Sequence, residues 1–271
     1  MRVCLIGYGK MGSALLSGWL EQDAGYEFSI IEPFFDAETR QKLEQSAPVK
    51  WYENGAELKA GTDFDVVVLA VKPQVMGEVL AGCRHIGTSD TVFVSIAAGL
   101  SIETLQGYIP QSQAIIRAMP NSPAKVQMGI TAMVPSIAVT PEMADAAKSL
   151  LCAIGDVVDI DDETLMDAVT AVSGSGPAYV FYMVEAMAQA GLSLGLDEKT
   201  AMMLARQTVI GAGQLMAGDE ADASTLRQNV TSEGGTTAAA LAVLMADDGL
   251  SPLMEKALTA ARNRGVELSK A

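Results

Sequence analysis

Three glycines near the start of the chain, in Gly7-Tyr8-Gly9-Lys10-Met11-Gly12, have the spacing of a loop that binds the pyrophosphate of a dinucleotide. In such a loop Gly7 makes the tight turn, Gly9 lets the pyrophosphate approach the backbone, and Gly12 lets strand and helix pack closely. The N–H groups at the start of the following helix face the phosphates. We therefore predict that Gly7, Gly9, Lys10, Met11 and Gly12 bind a nicotinamide dinucleotide.

Glu32 ends the second predicted strand, where the choice between the two nicotinamide cofactors is made. An acid at this position accepts hydrogen bonds from the ribose diol of NADH and repels the 2′-phosphate of NADPH. Arg40, on the next predicted helix, is the first arginine after it and could reach such a phosphate. The local charge favours NADH, and both a Glu32 that points away into solvent and a phosphate-binding Arg40 stay open as alternatives.

Small residues and prolines follow three further predicted strands, at 70–73, 96–99 and 119–123. Ligands of open α/β sheets lie outside the carboxyl ends of the strands, so these turns are predicted to line the nicotinamide pocket. The cofactor contacts predicted here are Ala70, Val71, Lys72, Pro73, Ala97 and Asn121.

Two motifs in the second half of the chain, 172–179 and 229–237, are unusually polar and rich in glycine for their surroundings. The second places consecutive backbone N–H groups at a predicted helix start, a cradle suited to a small carboxylate. Its four hydroxyl groups belong to Thr231, Ser232, Thr236 and Thr237. An ordinary helix cap with its loop would explain one or two of these hydroxyls, but not four beside Gly234-Gly235.

The elements that must position these motifs change in kind near residue 160. Before it, short apolar runs alternate with amphipathic segments, which predicts a parallel, doubly wound α/β sheet. After it the predicted strands disappear, and broad apolar faces indicate helices that pack on each other or on a second subunit. We predict an α/β dinucleotide-binding domain at 1–160 and an all-helical domain at 161–271. The predicted strands are 2–6, 27–31, 64–71, 91–96, 114–118, 130–134 and 157–160, and the predicted helices are 11–21, 37–45, 74–83, 163–171, 178–194, 198–216, 223–228, 236–245 and 252–268.

Composition excludes several classes of protein. The 271 residues include 33 acidic and 18 basic side chains, a net charge of −15 without a basic cluster, which argues against nucleic-acid binding. Three scattered cysteines predict neither a disulfide framework nor a metal site, and they favour the reducing cytoplasm. The N-terminal sequence predicts no signal peptide, and the most apolar stretch, 168–196, is too interrupted for a membrane span.

On these residues the chain resembles the Δ1-pyrroline-5-carboxylate reductase family over nearly its whole length. The matching motifs are the glycine loop 7–12, Ala70-Val71-Lys72-Pro73-Gln74, residues 117–123, Ser173-Gly174-Ser175-Gly176-Pro177-Ala178-Tyr179 and Ser232-Glu233-Gly234-Gly235-Thr236-Thr237. The resemblance implies a Rossmann-type sheet, a helical domain that forms a homodimer, and larger rings of dimers in some members. It also implies NADPH or NADH as the cofactor and a ring imine, 1-pyrroline-5-carboxylate, as the substrate, reduced to L-proline in the last step of proline biosynthesis.

The resemblance assigns roles to residues of the helical domain. Substrate contacts carry over to Ser232, Gly234, Gly235, Thr236 and Thr237, and residues near the nicotinamide to Ser175, Pro177 and Asn229. An imine nitrogen is basic and can arrive protonated, so a strong general acid is dispensable. We predict the Thr237 hydroxyl as the hydrogen-bond partner of this nitrogen and the catalytic group, and a surface or capping role for His85, the single histidine.

Two departures from the family pattern bear on these assignments. Glu233 stands where proline is common, and it is expected to point away from the substrate carboxylate. Glu32 and Pro33 replace the small polar or basic residues that often serve NADPH. A β-hydroxyacid dehydrogenase is disfavoured because its Lys-x-x-x-Asn spacing occurs at Lys50 and Asn54, in the wrong domain. A nicotinamide-binding regulator without turnover, and reduction of a six-membered cyclic imine, remain alternatives.

Overall fold

The structure, a computed structural model, describes residues 1–22, 24–46, 48–59, 62–109 and 112–269. Within these residues eight strands form one sheet in the order β3-β2-β1-β4-β5-β6-β7-β8. The strands are β1 (Arg2–Ile6), β2 (Glu27–Ile31), β3 (Val49–Tyr52), β4 (Val66–Leu69), β5 (Val92–Ser95), β6 (Ala114–Met119), β7 (Gly129–Pro135) and β8 (Gly155–Asp159).

Helices cover both faces of this sheet, which confirms the predicted doubly wound fold. Along β1, Val3 and Leu5 pack into one apolar cluster, whereas Cys4 and Ile6 pack into another. Because successive side chains of a strand point to opposite faces, the continuous apolar run buries both sides. The helices of this part are α1 (Lys10–Glu21), α2 (Ala37–Ser46), α3 (Met76–Gly82), α4 (Ile102–Gln106), α5 (Pro141–Leu151) and α6 (Met166–Val169).

Strand β7 departs from the predicted parallel arrangement, because it runs antiparallel to β6. A parallel crossover needs a connection of about a dozen residues or more. The connection from β6 to β7 holds only the short 3-10 turn Ser122–Val126 between Met119 and Gly129, so the chain reverses. The other pairs of neighbouring strands are parallel.

The remaining helices follow the sheet, as predicted. They are α7 (Gly176–Ser193), α8 (Glu198–Ala217), α9 (Ala223–Asn229), α10 (Thr236–Leu244) and α11 (Leu250–Leu268). Contacts between residues divide the chain into one compact unit of residues 1–174 and 262–271 and a second of residues 175–261. In the first unit Met166 of α6 is buried against Ala132 and Val134 of β7, which attaches the segment after the last strand to the sheet. The domain boundary at residue 160 stays a prediction.

The second unit buries little of its own apolar surface. Ala188, Ala201 and Ala205 are its buried side chains between α7 and α8. Large apolar side chains on its helices are exposed in the single chain, among them Phe181, Tyr182, Met203, Leu215, Val243 and Leu253. Such a surface is typical of helices that pack on another subunit. Among the helices of the described residues, none combines the length and apolar content that a bilayer span requires.

The structure adds elements that the sequence patterns missed. Strand β3 is short and contains Lys50, which weakens its apolar pattern, although Trp51 and Tyr52 favour a strand. Helix α5 begins with Thr140 as its N-cap and Pro141 in its first turn, a start signal that was present in the sequence. The predicted helix at 163–171 is a 3-10 turn at Glu163–Leu165, then α6, then a π-helical turn at Thr170–Gly174.

Candidate active site

The glycine loop has the geometry that its spacing predicts. Gly7 adopts a φ of 99°, in the left-handed region that favours glycine, and a Cβ there would lie 2.8 Å from the Ala70 carbonyl oxygen. A Cβ on Gly12 would overlap the carbonyl oxygen of Gly7. These two glycines are therefore required by the packing of β1, α1 and the turn after β4.

Packing within the protein does not require glycine at position 9. Apart from Gly9 itself and its neighbours along the chain, no atom of the described residues lies within 4 Å of the position that a Cβ on Gly9 would take. Its φ of −73° is open to any residue, and α1 begins after it without a side-chain cap. Space beside a helix start with free N–H groups fits a pyrophosphate, so the residues present fit the dinucleotide. Lys10 is exposed there, and Met11 packs half-buried against the core.

Glu32 is fixed at the glycine loop by two backbone donors. The Tyr8 N–H donates to its Oε2 at 2.8 Å, and the Phe34 N–H donates to its Oε1 at 3.1 Å. These two donors, one to each carboxylate oxygen, hold the Glu32 side chain in one orientation. The alternative in which Glu32 points away into solvent is thus not the one that the structure adopts.

Three aromatic rings form a cluster beside Glu32. Phe35 lies 4.8 Å from Tyr8 and 4.1 Å from Trp51, measured between ring centroids. Burial raises the pKa of the Tyr8 hydroxyl, and the negative charge of Asp36 adds to the shift. The cluster joins the glycine loop, the turn after β2 and the edge strand β3. The sequence reasoning missed it, although an aromatic residue inside the glycine loop was visible.

The predicted turns meet at the carboxyl edge of the parallel strands. The Ala70 N–H donates to the Ile6 carbonyl at 2.8 Å, so the turn after β4 adjoins the end of β1. Lys72 is exposed and precedes the 3-10 turn Pro73–Val75, and Ala97 is buried after β5. The structure thus brings Ala70 and Val71 against Gly7, as the fold predicts.

Asn121, after β6, is held within the protein at both ends of its amide. Its Nδ2 donates to the Ser173 carbonyl at 3.2 Å, and its Oδ1 accepts from the Ile130 N–H at 3.0 Å. A Cβ on Gly174 would lie 2.6 Å from the Met119 side chain, so the π-helical turn packs closely on the end of β6. Two motifs far apart in sequence are therefore in contact here.

The sequence reasoning missed an ion pair between Arg117 of β6 and Glu163. The Arg117 guanidinium, with its side chain 9% exposed, donates from Nη1 to Glu163 Oε1 at 2.9 Å. The same oxygen accepts from the Ile102 N–H at 2.8 Å. The available signal was Arg117 itself, the single charge in the apolar strand Ala114–Met119, because a buried charge requires a partner.

The second unit contains the turn at 232–235 that is predicted to bind a carboxylate. Gly234 adopts a φ of 68°, and the Gly235 N–H donates to the Ser232 carbonyl at 3.1 Å, which makes a tight turn into α10. Gly235 caps this helix without a side-chain hydrogen bond, so the first N–H groups of α10 have no partner within the helix. Helix starts of this kind attract anions. The exposed residues of the cradle are Ser232, Glu233, Gly234, Thr236 and Thr237.

Three further predicted residues belong to the second unit. Ser175 precedes α7, and Pro177 lies in its first turn, where a missing N–H costs nothing. Asn229 is the last residue of α9 and is exposed. Their proximity to the nicotinamide stays a prediction.

His85 lies in the first unit and has a structural partner. A ring nitrogen of His85, Nε2, is 2.9 Å from the Leu58 carbonyl oxygen. Burial raises the pKa of Cys83, two residues earlier, to about 11. His85 thus binds a backbone carbonyl, and Cys83 is buried in the apolar cluster on one face of the sheet.

Comparisons with known proteins cover the whole chain. A family model described as "Pyrroline-5-carboxylate reductase dimerisation" matches residues 163–268, and one described as "NADP oxidoreductase coenzyme F420-dependent" matches residues 2–99. The chain is 38% identical to the pyrroline-5-carboxylate reductase of Pseudomonas aeruginosa, over 99% of this chain and 97% of the relative. It is 41% identical to that of Haemophilus influenzae, over 98% and 97%.

Solved structures agree with these relatives. A pyrroline-5-carboxylate reductase from Coxiella burnetii is similar at a TM-score of 0.89 and 32% identity, covering 99% of this chain and 98% of that one. A Plasmodium falciparum pyrroline carboxylate reductase with NADP bound is similar at a TM-score of 0.79 and 26% identity, covering 99% and 98%. Both the sheet and the helices after it thus have counterparts in the same proteins.

Proposed function

Because the chain belongs to the pyrroline-5-carboxylate reductase family, we infer that it reduces 1-pyrroline-5-carboxylate to L-proline with a hydride from NAD(P)H. One observation carries this inference. Relatives named pyrroline-5-carboxylate reductase match 98–99% of the chain at 34–41% identity, a span that includes both the glycine loop and the turn before α10. The chain is accordingly an NAD(P)-dependent oxidoreductase of proline biosynthesis.

Different residues of the chain bind the cofactor and the substrate. The glycine loop and the start of α1 hold the pyrophosphate, because Gly9 leaves room for it beside free N–H groups. When bound, the reduced nicotinamide supplies the hydride that the imine carbon accepts. Ser232, Gly234, Gly235 and Thr236 hold the substrate carboxylate through backbone N–H groups and hydroxyls at the start of α10. With a net charge of −15, the protein uses these local dipoles rather than a basic patch.

Thr237 is the group that we assign to the reacting nitrogen. Its exposed hydroxyl lies in the first turn of α10, beside the residues that hold the carboxylate. There it forms a hydrogen bond with the imine nitrogen and orients the substrate ring for hydride transfer. Alignment of two reactants in a near-attack geometry supplies about 7–11 kcal/mol of the barrier, so positioning can replace a strong acid.

Glu32 supports a preference for NADH. Its carboxylate is held in place by the Tyr8 and Phe34 N–H groups, so it can accept hydrogen bonds from a ribose diol and repel a 2′-phosphate. Arg40, the alternative phosphate ligand, pairs with Glu44 at 2.9 Å, one turn along α2. Both side chains of that pair are about half exposed, so this bond is weak and does not itself exclude Arg40.

A cofactor comparison tests the role of Glu32. We expect the chain to show a higher kcat/KM with NADH than with NADPH, and the Glu32→Ser variant to shift the ratio of the two toward NADPH by about tenfold, an energetic change of about 1.4 kcal/mol. Initial rates with both cofactors at saturating imine give this ratio. The Arg40→Ala variant is the control and should keep the parent ratio. If Glu32→Ser leaves this ratio unchanged, Glu32 does not set the cofactor preference. If Arg40→Ala raises the preference for NADH, Arg40 binds the 2′-phosphate, which also contradicts the assignment.

A spectrophotometric assay tests the proposed reaction. Adding 1-pyrroline-5-carboxylate should cause NADH or NADPH absorbance to fall with formation of proline, and the six-membered imine measures selectivity for ring size. Cofactor binding without absorbance loss would favour a regulatory protein instead. Oxidation of β-hydroxyacids without reduction of the imine would favour the dehydrogenase alternative.

The helical part of the chain mediates dimerisation, as its family model states for residues 163–268. The exposed apolar side chains of the second unit supply the surface for it. A ring of dimers and a cytoplasmic location are proposals, supported by the resemblance and by the cysteine pattern respectively.

A further inference from the structure

The buried guanidinium of Arg117 forms an ion pair with Glu163. Arg117 lies in the interior of the sheet, and its partner Glu163 has a side chain 30% exposed. A buried ion pair contributes little net stability, since the cost of removing both charges from water offsets their attraction. A role in holding elements in a defined arrangement therefore explains the pair better than a role in stability does.

Glu163 joins three elements. Its Oε1 accepts from Arg117 of β6 and from the Ile102 N–H in the first turn of α4. Helix α4 follows the turn 96–99, which the fold places at the cofactor edge. Glu163 itself begins the segment 163–174. One carboxylate oxygen thus fixes the start of this segment to β6 and to the start of α4, directly after the loop that follows β5.

Asn121 fixes the other end of the same segment. Its Nδ2 donates to the Ser173 carbonyl, and its Oδ1 is held by the Ile130 N–H of β7. With only 9% of its surface exposed, Asn121 has little freedom to turn toward another partner. The segment 163–174 is therefore attached to the end of β6 at both of its ends.

The last turn of the segment is π-helical, a rare conformation that is frequent at functional sites. Inside it, Thr170 Oγ1 donates to the Met166 carbonyl at 2.8 Å and Ser173 Oγ donates to the Val169 carbonyl at 3.0 Å. Side-chain bonds of this kind compete with the regular helical ladder. The hydrogen bonds of Glu163 and Asn121 at the two ends of the segment therefore help to fix the shape of this turn.

We propose that Arg117, Glu163 and Asn121 are positioning residues for hydride transfer. They fix the segment 163–174 to the carboxyl edge of the sheet, so that the Ser173–Gly174 turn and the loop after β5 keep one geometry around the nicotinamide. The proposal rests on the proposed function, since it concerns the same reaction. The positioning role of Asn121 is its hydrogen bond to the Ser173 carbonyl, and its contact with the cofactor stays a separate prediction.

The variants Glu163→Gln and Asn121→Asp test the proposal because they keep side-chain size. The first removes the charge that Arg117 faces, and the second replaces the donor to Ser173 by a carboxylate. We expect kcat to fall by about ten- to a hundredfold in each. In Glu163→Gln, whose side chain is not among the predicted cofactor contacts, the dissociation constant of NADH should stay within about twofold of the parent value. We also expect a larger primary isotope effect with NADH deuterated at C4, because hydride transfer becomes slower relative to the other steps.

Hydrogen–deuterium exchange of the protein without cofactor gives a readout independent of activity. Backbone amides of 163–174 should exchange faster in both variants than in the parent chain. Asp159→Asn is the matched control: it breaks the exposed Lys148–Asp159 ion pair, 2.6 Å long, in the same unit, and should change neither exchange of 163–174 nor the isotope effect. The double variant Arg117→Met/Glu163→Gln removes both charges if Glu163→Gln alone folds poorly.

The outcomes are distinct. Faster exchange of 163–174 together with a lower kcat and a larger isotope effect supports the positioning role. Lower thermal stability with unchanged kcat per active site and an unchanged isotope effect reduces these residues to structural ones and overturns the proposal. Unchanged exchange in the segment also overturns it. Absence of turnover in the parent chain would instead overturn the proposed function, and exchange would show separately whether the attachments exist.

Discussion

We expect the Gly9→Ala variant to bind NADH at least about tenfold more weakly than the parent chain, while its apoprotein stays within about 1 kcal/mol of the parent stability. Apart from Gly9 and its neighbours along the chain, the added methyl group meets no atom of the described residues within 4 Å, and the φ of Gly9 suits alanine. The only group that it can obstruct is one that approaches the loop from outside. Titration with NADH, followed by fluorescence, and calorimetric unfolding measure the two quantities.

Gly12→Ala is the matched comparison in the same loop. Its Cβ would overlap the Gly7 carbonyl oxygen, so this variant should lose both stability and binding. The contrast separates a glycine needed by the protein from a glycine needed by the ligand. Unaltered NADH affinity in a folded Gly9→Ala variant would move the pyrophosphate site away from this loop.

The second large effect is expected at Thr237. In Thr237→Ala we expect kcat/KM for the imine to fall by about 10²–10³, the usual effect of removing one preorganised hydrogen-bond group from a reacting centre. The affinity for NADH should stay unchanged, because the glycine loop is untouched. Steady-state rates at saturating cofactor, with NADH titrations alongside, measure both.

Two neighbouring variants sharpen this prediction. Thr237→Ser keeps the hydroxyl and should recover most of the activity. Thr236→Ala removes a group that we assign to the substrate carboxylate, so it should raise KM more than it lowers kcat. Equal activity in Thr237→Ala and the parent chain would remove the assignment of Thr237 to the imine nitrogen.

Local signals in the sequence were sufficient for much of the fold. The continuous apolar runs of β1 and β4 predicted buried strands, since a strand covered on both faces needs apolar residues on both sides. Acidic caps and glycine breaks predicted the helices after Asp159. The parallel direction predicted for β7 was wrong, because the direction depends on how far the short connection after Met119 can reach.

In the active site, too, some features follow from local sequence and others from tertiary contacts. Gly7, Gly9 and Gly12 and the turn before α10 were determined by the sequence itself, because a left-handed φ, a close backbone approach or a helix start needs particular residues at adjacent positions. Only the tertiary structure decided that Arg117 faces Glu163 and that Asn121 holds Ser173. These partners lie 46 and 52 residues apart, a separation at which residue spacing carries no geometric information. Their contact arises from packing of the segment 163–174 on the sheet, where a buried charge and a buried amide must each find a partner.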